Sequence, residues 1–337
     1  MRPNKIVRQL SRRFGIPVKE MSIVKTGVYR VVTPGGKKYV FKRMAYPPAR
    51  LRWIDRTLLR LRRDGSVPIV WRRPHKRWEN RLFVRVKPQG PPYTINPWAK
   101  GRWPSPRSTK EMEACGRLLA TFHRSGNNIA IPKKGQNNQM GRWPSYLRSE
   151  LNVLRRVISK AKRNGFRSPL DKMLQKHGEE ILQMGRAALR ALKQSRYPSI
   201  CQQRKATLCH GDGGPSNFLL HGNRLRLIDF ETLRLDLPSY DLYRVIFNSC
   251  KDHHWNFTIA RSILDGYQQV NRLQPSDFEM LKILLRFPRG MCKLIEHYDK
   301  KSAKEKRRIE REFPRILAEE RKMNSFIKQL ENYAQTG

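Results

Sequence analysis

The chain has 337 residues, 38% of them hydrophobic and seven of them tryptophan, which is enough for a large core and typically two lobes, and excludes a disordered polymer. Lysine and arginine total 71 against 27 acidic residues, a formal charge of +44; a field of that size attracts nucleic acid, acidic polymers or acidic proteins and disfavours cationic ligands. No apolar run approaches a membrane span, and Met1-Arg2-Pro3-Asn4-Lys5 leads into no signal core, so the protein is expected to stay where it is made.

In chain order, Lys5 to Phe14 reads as a short basic helix stopped by Gly15-Ile16-Pro17. From Met21 to Met44 apolar residues alternate in strand fashion around a Pro34-Gly35-Gly36 turn, and the last strand carries Lys42 between Val40-Phe41 and Met44. An unpaired ammonium in a buried strand is costly, so Lys42 either faces water or has an anion to hold. Ala49 to Arg63 predicts an amphipathic helix in which Asp55 is the sole acid before Asp64. Its neighbours Arg52 and Arg56 could occupy Asp55 as well as any distant cation. Leu82 to Val86 and Tyr93 to Trp98 supply two more strands, giving five strands and one helix for a small first lobe. Beyond Gly101 the pattern turns helical: Thr109 to Arg124, Ser145 to Lys162, Ser168 to Gln194, Pro238 to Ser249, Asn256 to Asn271, Ser276 to Arg286 and a basic run from Lys301 to Tyr333. The densest basic runs are Arg72-Arg73-Pro74-His75-Lys76-Arg77 and residues 300–308.

The segment between residues 206 and 244 interrupts this helical series and carries the chemistry. Ala206 to Cys209 is a strand leading into a Gly- and Pro-rich turn, and Phe218-Leu219-Leu220 with Leu225 to Ile228 forms a hairpin around His221-Gly222-Asn223. Asp212 and Asn217 share the loop before the hairpin, and Asp229 ends its second strand. Phosphoryl transfer needs little else. One carboxylate takes or orients the proton of the attacking hydroxyl, while an amide oxygen and a second carboxylate hold magnesium against the nucleotide phosphates. Singly, Asp and Asn near Gly and Pro are ordinary turn formers; their joint order and spacing are what point to a site.

His210-Gly211-Asp212, Asn217 and Ile228-Asp229-Phe230-Glu231 resemble the catalytic core of the aminoglycoside phosphotransferase and choline kinase group, a branch of the protein-kinase-like fold. Asp236-Leu237-Pro238 with Asp241-Leu242, Thr94-Ile95-Asn96-Pro97-Trp98 ending in Gly101, and Leu119-Ala120-Thr121-Phe122-His123 resemble the CotS family of spore-coat-associated kinase-like proteins. The similarity runs from about Ile16 to Tyr298, and the loop HGDGGPSN is closer to the general phosphotransferase pattern than to the spore-coat form.

This resemblance implies an α+β, bilobal protein-kinase-like fold. A nucleotide-binding lobe would span residues 1–98 with a hinge at its end, and a helical lobe 99–337 would carry the catalytic hairpin. It implies ATP and Mg2+ as cofactors, with Asp212 as catalytic aspartate and Asn217 and Asp229 as metal ligands. Lys42 would hold the α- and β-phosphates, Asp55 would pair with Lys42, and the backbone from Ile95 to Pro97 would receive adenine. His210 and Asp241 would support the loop, Asp241 at a helix start. A GxGxxG phosphate loop is missing; Lys25-Thr26-Gly27-Val28 stands in its place.

Two functions follow. One is an ATP- and magnesium-dependent phosphotransferase acting on a hydroxyl of a small molecule or protein. The other is a structural coat component with little catalysis, in the mother-cell cytoplasm or the coat, with coat proteins or anionic polymers as partners. Five scattered cysteines with no CxxC argue against zinc and disulfides, and Cys209 reads as packing. His123, His253 and His254 read as packing or surface residues. No nucleic-acid motif accompanies the basic charge.

Overall fold

The computed structural model describes residues 2–72 and 81–336. Most of the basic run at 72–77, from Arg73 onward, therefore lies outside the described residues. The fold is α+β and protein-kinase-like, an antiparallel sheet beside a larger body of helices.

The chain opens with α1 (Pro3–Phe14), ended by Gly15 in the left-handed region. Strands β1 (Glu20–Lys25), β2 (Val28–Val32) and β3 (Lys38–Arg43) follow as a meander, then α2 (Pro48–Asp64), β4 (Phe83–Arg85) and β5 (Pro92–Pro97). The sheet order is β1-β2-β3-β5-β4. Its core is filled by α1: Val7, Leu10 and Phe14 pack on Tyr29, Val31, Phe41, Tyr93 and Ile95.

The helical body comprises α3 (Thr109–Asn128), α4 (Trp143–Arg163), α5 (Pro169–Gln194), α6 (Tyr197–Gln203), α7 (Pro238–Cys250), α8 (Phe257–Gln268), α9 (Pro275–Arg286), α10 (Arg289–Ile295), α11 (Ala303–Arg321) and α12 (Met323–Thr336). Between α6 and α7 run β6 (Thr207–Cys209), β7 (Phe218–His221), β8 (Arg224–Leu227) and β9 (Arg234–Asp236); β6 pairs with β9 and β7 with β8.

Two elements depart from the sequence reading. The expected C-terminal helix over 301–333 is two helices, α11 and α12, parted at Lys322, which lets Met323, Phe326, Ile327 and Leu330 turn into the core. Helix α2 does not complete the core of the sheet. Its Trp53, Ile54, Leu58 and Leu61 are buried in the helical core with Met112, Leu119 and Phe122 of α3. Only Leu51 packs beside Met44 and Leu82 at the edge of the sheet. The periodicity marks which face of α2 is apolar; it carries no information on which neighbour covers that face.

Helices α3 and α8 cross closely. A Cβ at Gly116 would collide with the Ile263 carbonyl, and one at Gly266 with that of Glu113, so both contact positions exclude any side chain. That crossing brings His123 of α3 against Tyr267 of α8, directly beneath the functional loop.

Candidate active site

The loop 210–217 is fixed from below by one carboxylate. Asp241, in the first turn of α7 and fully buried, accepts from the backbone N–H of His210 at 2.6 Å and of Gly211 at 2.8 Å. Its role is to cap the loop, not the start of its own helix. His123 Nε2 lies 3.0 Å from the same carboxylate, and its Nδ1 lies 2.8 Å from the Tyr267 hydroxyl. Burial raises the Asp241 carboxyl, but the hydrogen bond and charge of His123, the charge of His210 and the Gly211 amide outweigh it and hold it below the usual carboxylate range. His123 and Tyr267 thus belong to the support of the site, which the sequence reading missed for want of any local spacing linking them. His123 and Asp241 also lie with Cys209 close enough to ligate a metal, but Asp241 spends both oxygens on loop amides and burial keeps the Cys209 thiol protonated.

His210 is a strut. Its Nε2 donates to the Ile228 carbonyl at 2.8 Å, its carbonyl accepts from Thr232 Oγ1 at 2.9 Å, and its ring packs 5.0 Å from Phe230. Gly211 adopts φ 85°, and a Cβ there would strike the Thr232 carbonyl, so the turn requires glycine on both counts. Asp212 follows with its side chain 46% exposed, open to an arriving substrate and bonded to Arg244 Nη2 at 2.5 Å.

Asn217 closes a 3₁₀ turn (Pro215–Asn217). Its Nδ2 donates to the Asp212 carbonyl, which leaves Oδ1 pointing the other way, and its own carbonyl accepts the Ile228 N–H at 3.0 Å. The open end of the β7–β8 hairpin therefore sets Asn217 beside Asp229. Asp229 sits in the left-handed region at φ 66°, an unusual conformation for a non-glycine residue and one found at functional sites.

Lys42 reaches across from β3. Its ammonium pairs with Asp229 and lies 3.2 Å from Glu231, with its side chain 14% exposed. The expected partner, Asp55, is engaged elsewhere. The buried Asp55 carboxylate accepts from Trp71 Nε1 at 2.9 Å and from Arg72 Nε at 2.6 Å, and pairs again through Arg72 Nη2. The expectation that Asp55 holds Lys42 is corrected: a planar guanidinium satisfies both carboxylate oxygens of a buried acid, which a lysine cannot do. The segment 68–72 that supplies Arg72 also joins β8, through Leu227 N–H to the Pro68 carbonyl and Val70 N–H to the Leu227 carbonyl.

Ile95 and Pro97 lie on β5 opposite Phe41 and Tyr39 of β3. Strand β4 pairs β5 only from Pro92 to Thr94, so the far edge from Ile95 to Pro97 runs beyond β4. There Asn96 accepts the Arg72 N–H at 3.0 Å.

Residues 25–278 match the phosphotransferase enzyme family. Spore coat protein S of Bacillus subtilis (strain 168) is 29% identical over 194 residues, 54% of this chain and 52% of that protein. Homoserine kinase of Rhizobium meliloti (strain 1021) is 24% identical over 200 residues, 58% of this chain and 54% of that protein. The chain thus matches about half the length of these curated relatives. Among solved structures, an aminoglycoside phosphotransferase from Alicyclobacillus acidocaldarius superposes with a TM-score of 0.75 at 16% identity, covering 100% of this chain and 97% of that one. A choline kinase from Streptococcus pneumoniae gives 0.56 at 11% identity, covering 97% and 99%. With a family match running from the end of β1 to the start of α9, the chain belongs to the phosphotransferase enzyme family and resembles the CotS group of kinase-like proteins within it.

Proposed function

We propose that the protein transfers the γ-phosphoryl group of ATP, with magnesium, to a hydroxyl group. The supporting observation is the pairing of Lys42 of β3 with Asp229 just past the end of β8, next to a loop in which the Asn217 side chain bonds the Asp212 carbonyl and the Asn217 carbonyl accepts the Ile228 N–H. Magnesium, if bound, would be held by Asn217 and Asp229 and would supply positive charge to offset that developing on the transferring phosphoryl group. The donor set fits such a hard cation, since an amide oxygen and a carboxylate are both oxygen ligands and the backbone of Asn217 is bonded to Ile228, the residue before Asp229. Lys42 already lies between Asp229 and Glu231 as a cation, so this spot favours positive charge.

Lys42 would turn to the α- and β-phosphates, and the backbone of Ile95 to Pro97 would receive the adenine ring. Asp212 takes the proton of the acceptor hydroxyl. The acceptor oxygen forms its bond to the γ-phosphorus as the bond to the bridging oxygen breaks, and ADP departs. In this reading residues 1–98 contribute the nucleotide-binding side and residues 99–337 the catalytic side, although α2 packs with the latter.

Asp212→Asn should reduce phosphoryl transfer by a factor of at least about 100 while leaving thermal stability and nucleotide binding in place, the range expected for loss of a general base. Transfer at the parent rate by a folded variant would overturn the assignment. Similarity to spore coat protein S keeps a second reading in play, a coat component with little catalysis in the mother cell or coat. Absence of any thermal shift with millimolar ATP and magnesium would favour it.

A further inference from the structure

The catalytic carboxylate is already paired. Arg244, on α7 with a side chain only 13% exposed, places Nη2 2.5 Å from Asp212 Oδ1, where an incoming hydroxyl would deliver its proton. For a neutral acceptor this guanidinium is a handicap, because it occupies the carboxylate oxygen that the hydroxyl would approach. For a cationic acceptor it is repulsive.

Two further arginines flank the same loop. Arg234 of β9 stacks 4.3 Å over the Tyr240 ring. Its Nε stands 3.1 Å from where a Gly211 Cβ would lie. Arg50 of α2 donates to the Leu233 carbonyl at 3.3 Å and packs on Tyr46. The Nε atoms of Arg50 and Arg234 are buried and find no hydrogen-bond partner among the described residues. Burial and the charge of Arg234 both push the Arg50 guanidinium down. The positive charge on this flank is balanced in part, since Arg234 Nη1 also pairs with the buried Asp236 at 3.3 Å.

We propose that the acceptor is a small alcohol bearing its own carboxylate or phosphate a few bonds from the reacting hydroxyl. Arg244 binds that anion and releases Asp212 to take the proton. A planar guanidinium suits either anion through two parallel hydrogen bonds. The inference rests on the phosphotransferase reading and adds to it the charge of the substrate.

The test compares alcohols matched in size but differing in charge: γ-hydroxybutyrate and glycerol phosphate as the anionic arms, γ-hydroxybutyramide and glycerol as the neutral ones, and aminobutanol as the cationic one. With ATP and magnesium, kcat/KM for an anionic alcohol should exceed that for its neutral partner by about 10- to 100-fold, the worth of a hydrogen bond to a charged group. The better of the two anionic arms identifies the anion. Arg244→Gln should remove the preference mainly through KM, and Arg244→Lys should keep part of it. Equal or better use of neutral or cationic alcohols overturns the proposal, as does a preference unchanged in both variants. Transfer to none of them by protein that binds ATP with magnesium also overturns it. Protein that fails to bind nucleotide removes the phosphotransferase reading itself, and the proposal with it. Should Arg244→Gln not fold, the charge series on the parent protein and Arg244→Lys still decide.

Discussion

A carboxylate's partner is chosen by geometry and burial more than by sequence distance, as Asp55 illustrates. From the sequence it was the sole acid on its helix near Lys42, and pairing the two was reasonable. Burial changes the outcome, because a carboxylate at 5% exposure needs both oxygens satisfied, and Arg72 with Trp71 provides three donors. Lys42 in turn meets Asp229 and Glu231, which are 187 and 189 residues away in sequence. Replacing Asp55 by Ala should cost roughly 3–5 kcal/mol, because it strands a buried guanidinium. Chemical denaturation would measure this, and a double-mutant cycle with Lys42→Met should show additivity within about 0.5 kcal/mol, as for residues that share no partner. A coupling well above that would restore the Lys42–Asp55 pair. Asp212, Asn217 and Asp229 were legible because turn chemistry and strand alternation fix them locally. Arg244, Tyr267 and His123 were not, because only the tertiary packing of α3, α7 and α8 brings them to the loop.

Among the elements, the strands and most helices follow their apolar periodicity, and the failures fall where chain direction depends on packing. The parting of α11 from α12 is one such place, and it lies beside a buried acid. Glu320 of α11 accepts the Gly290 N–H at 2.8 Å at the start of α10, and burial pushes its carboxyl up to about 7. A carboxyl raised above its unfolded value of 4.5 favours the folded chain while protonated. That contribution is complete below about pH 4.5 and is lost as pH rises through about 7. Glu320→Gln keeps an oxygen for the Gly290 amide and removes the charge. Near pH 8 it should stabilise the protein by roughly 2–3 kcal/mol, and the gain should vanish near pH 4, by linkage. Thermal melts of both proteins across this range would test it; a difference independent of pH would show that the carboxylate is not desolvated as described.

At the scale of the whole molecule, the +44 charge is spread along the chain and not confined to a tail, and no helix among the described residues is long and apolar enough to cross a membrane. The α+β plan was legible from the change of pattern near residue 100, whereas sequence order does not say which elements share a core. Helix α2 precedes two strands of the sheet and still shares its buried face with α3. In hydrogen exchange, its central amides should be protected in step with those of α3 and exceed those of β1 and β2, because exchange follows cooperative packing units. Exchange of α2 together with the sheet would contradict that grouping.

If α2 is anchored with the helices, any shift of the sheet would carry β3 relative to α2. Lys42 would then move relative to Asp229, and the tether through Arg72, which holds Asp55 and bonds Asn96 of β5, would bear the strain of that shift.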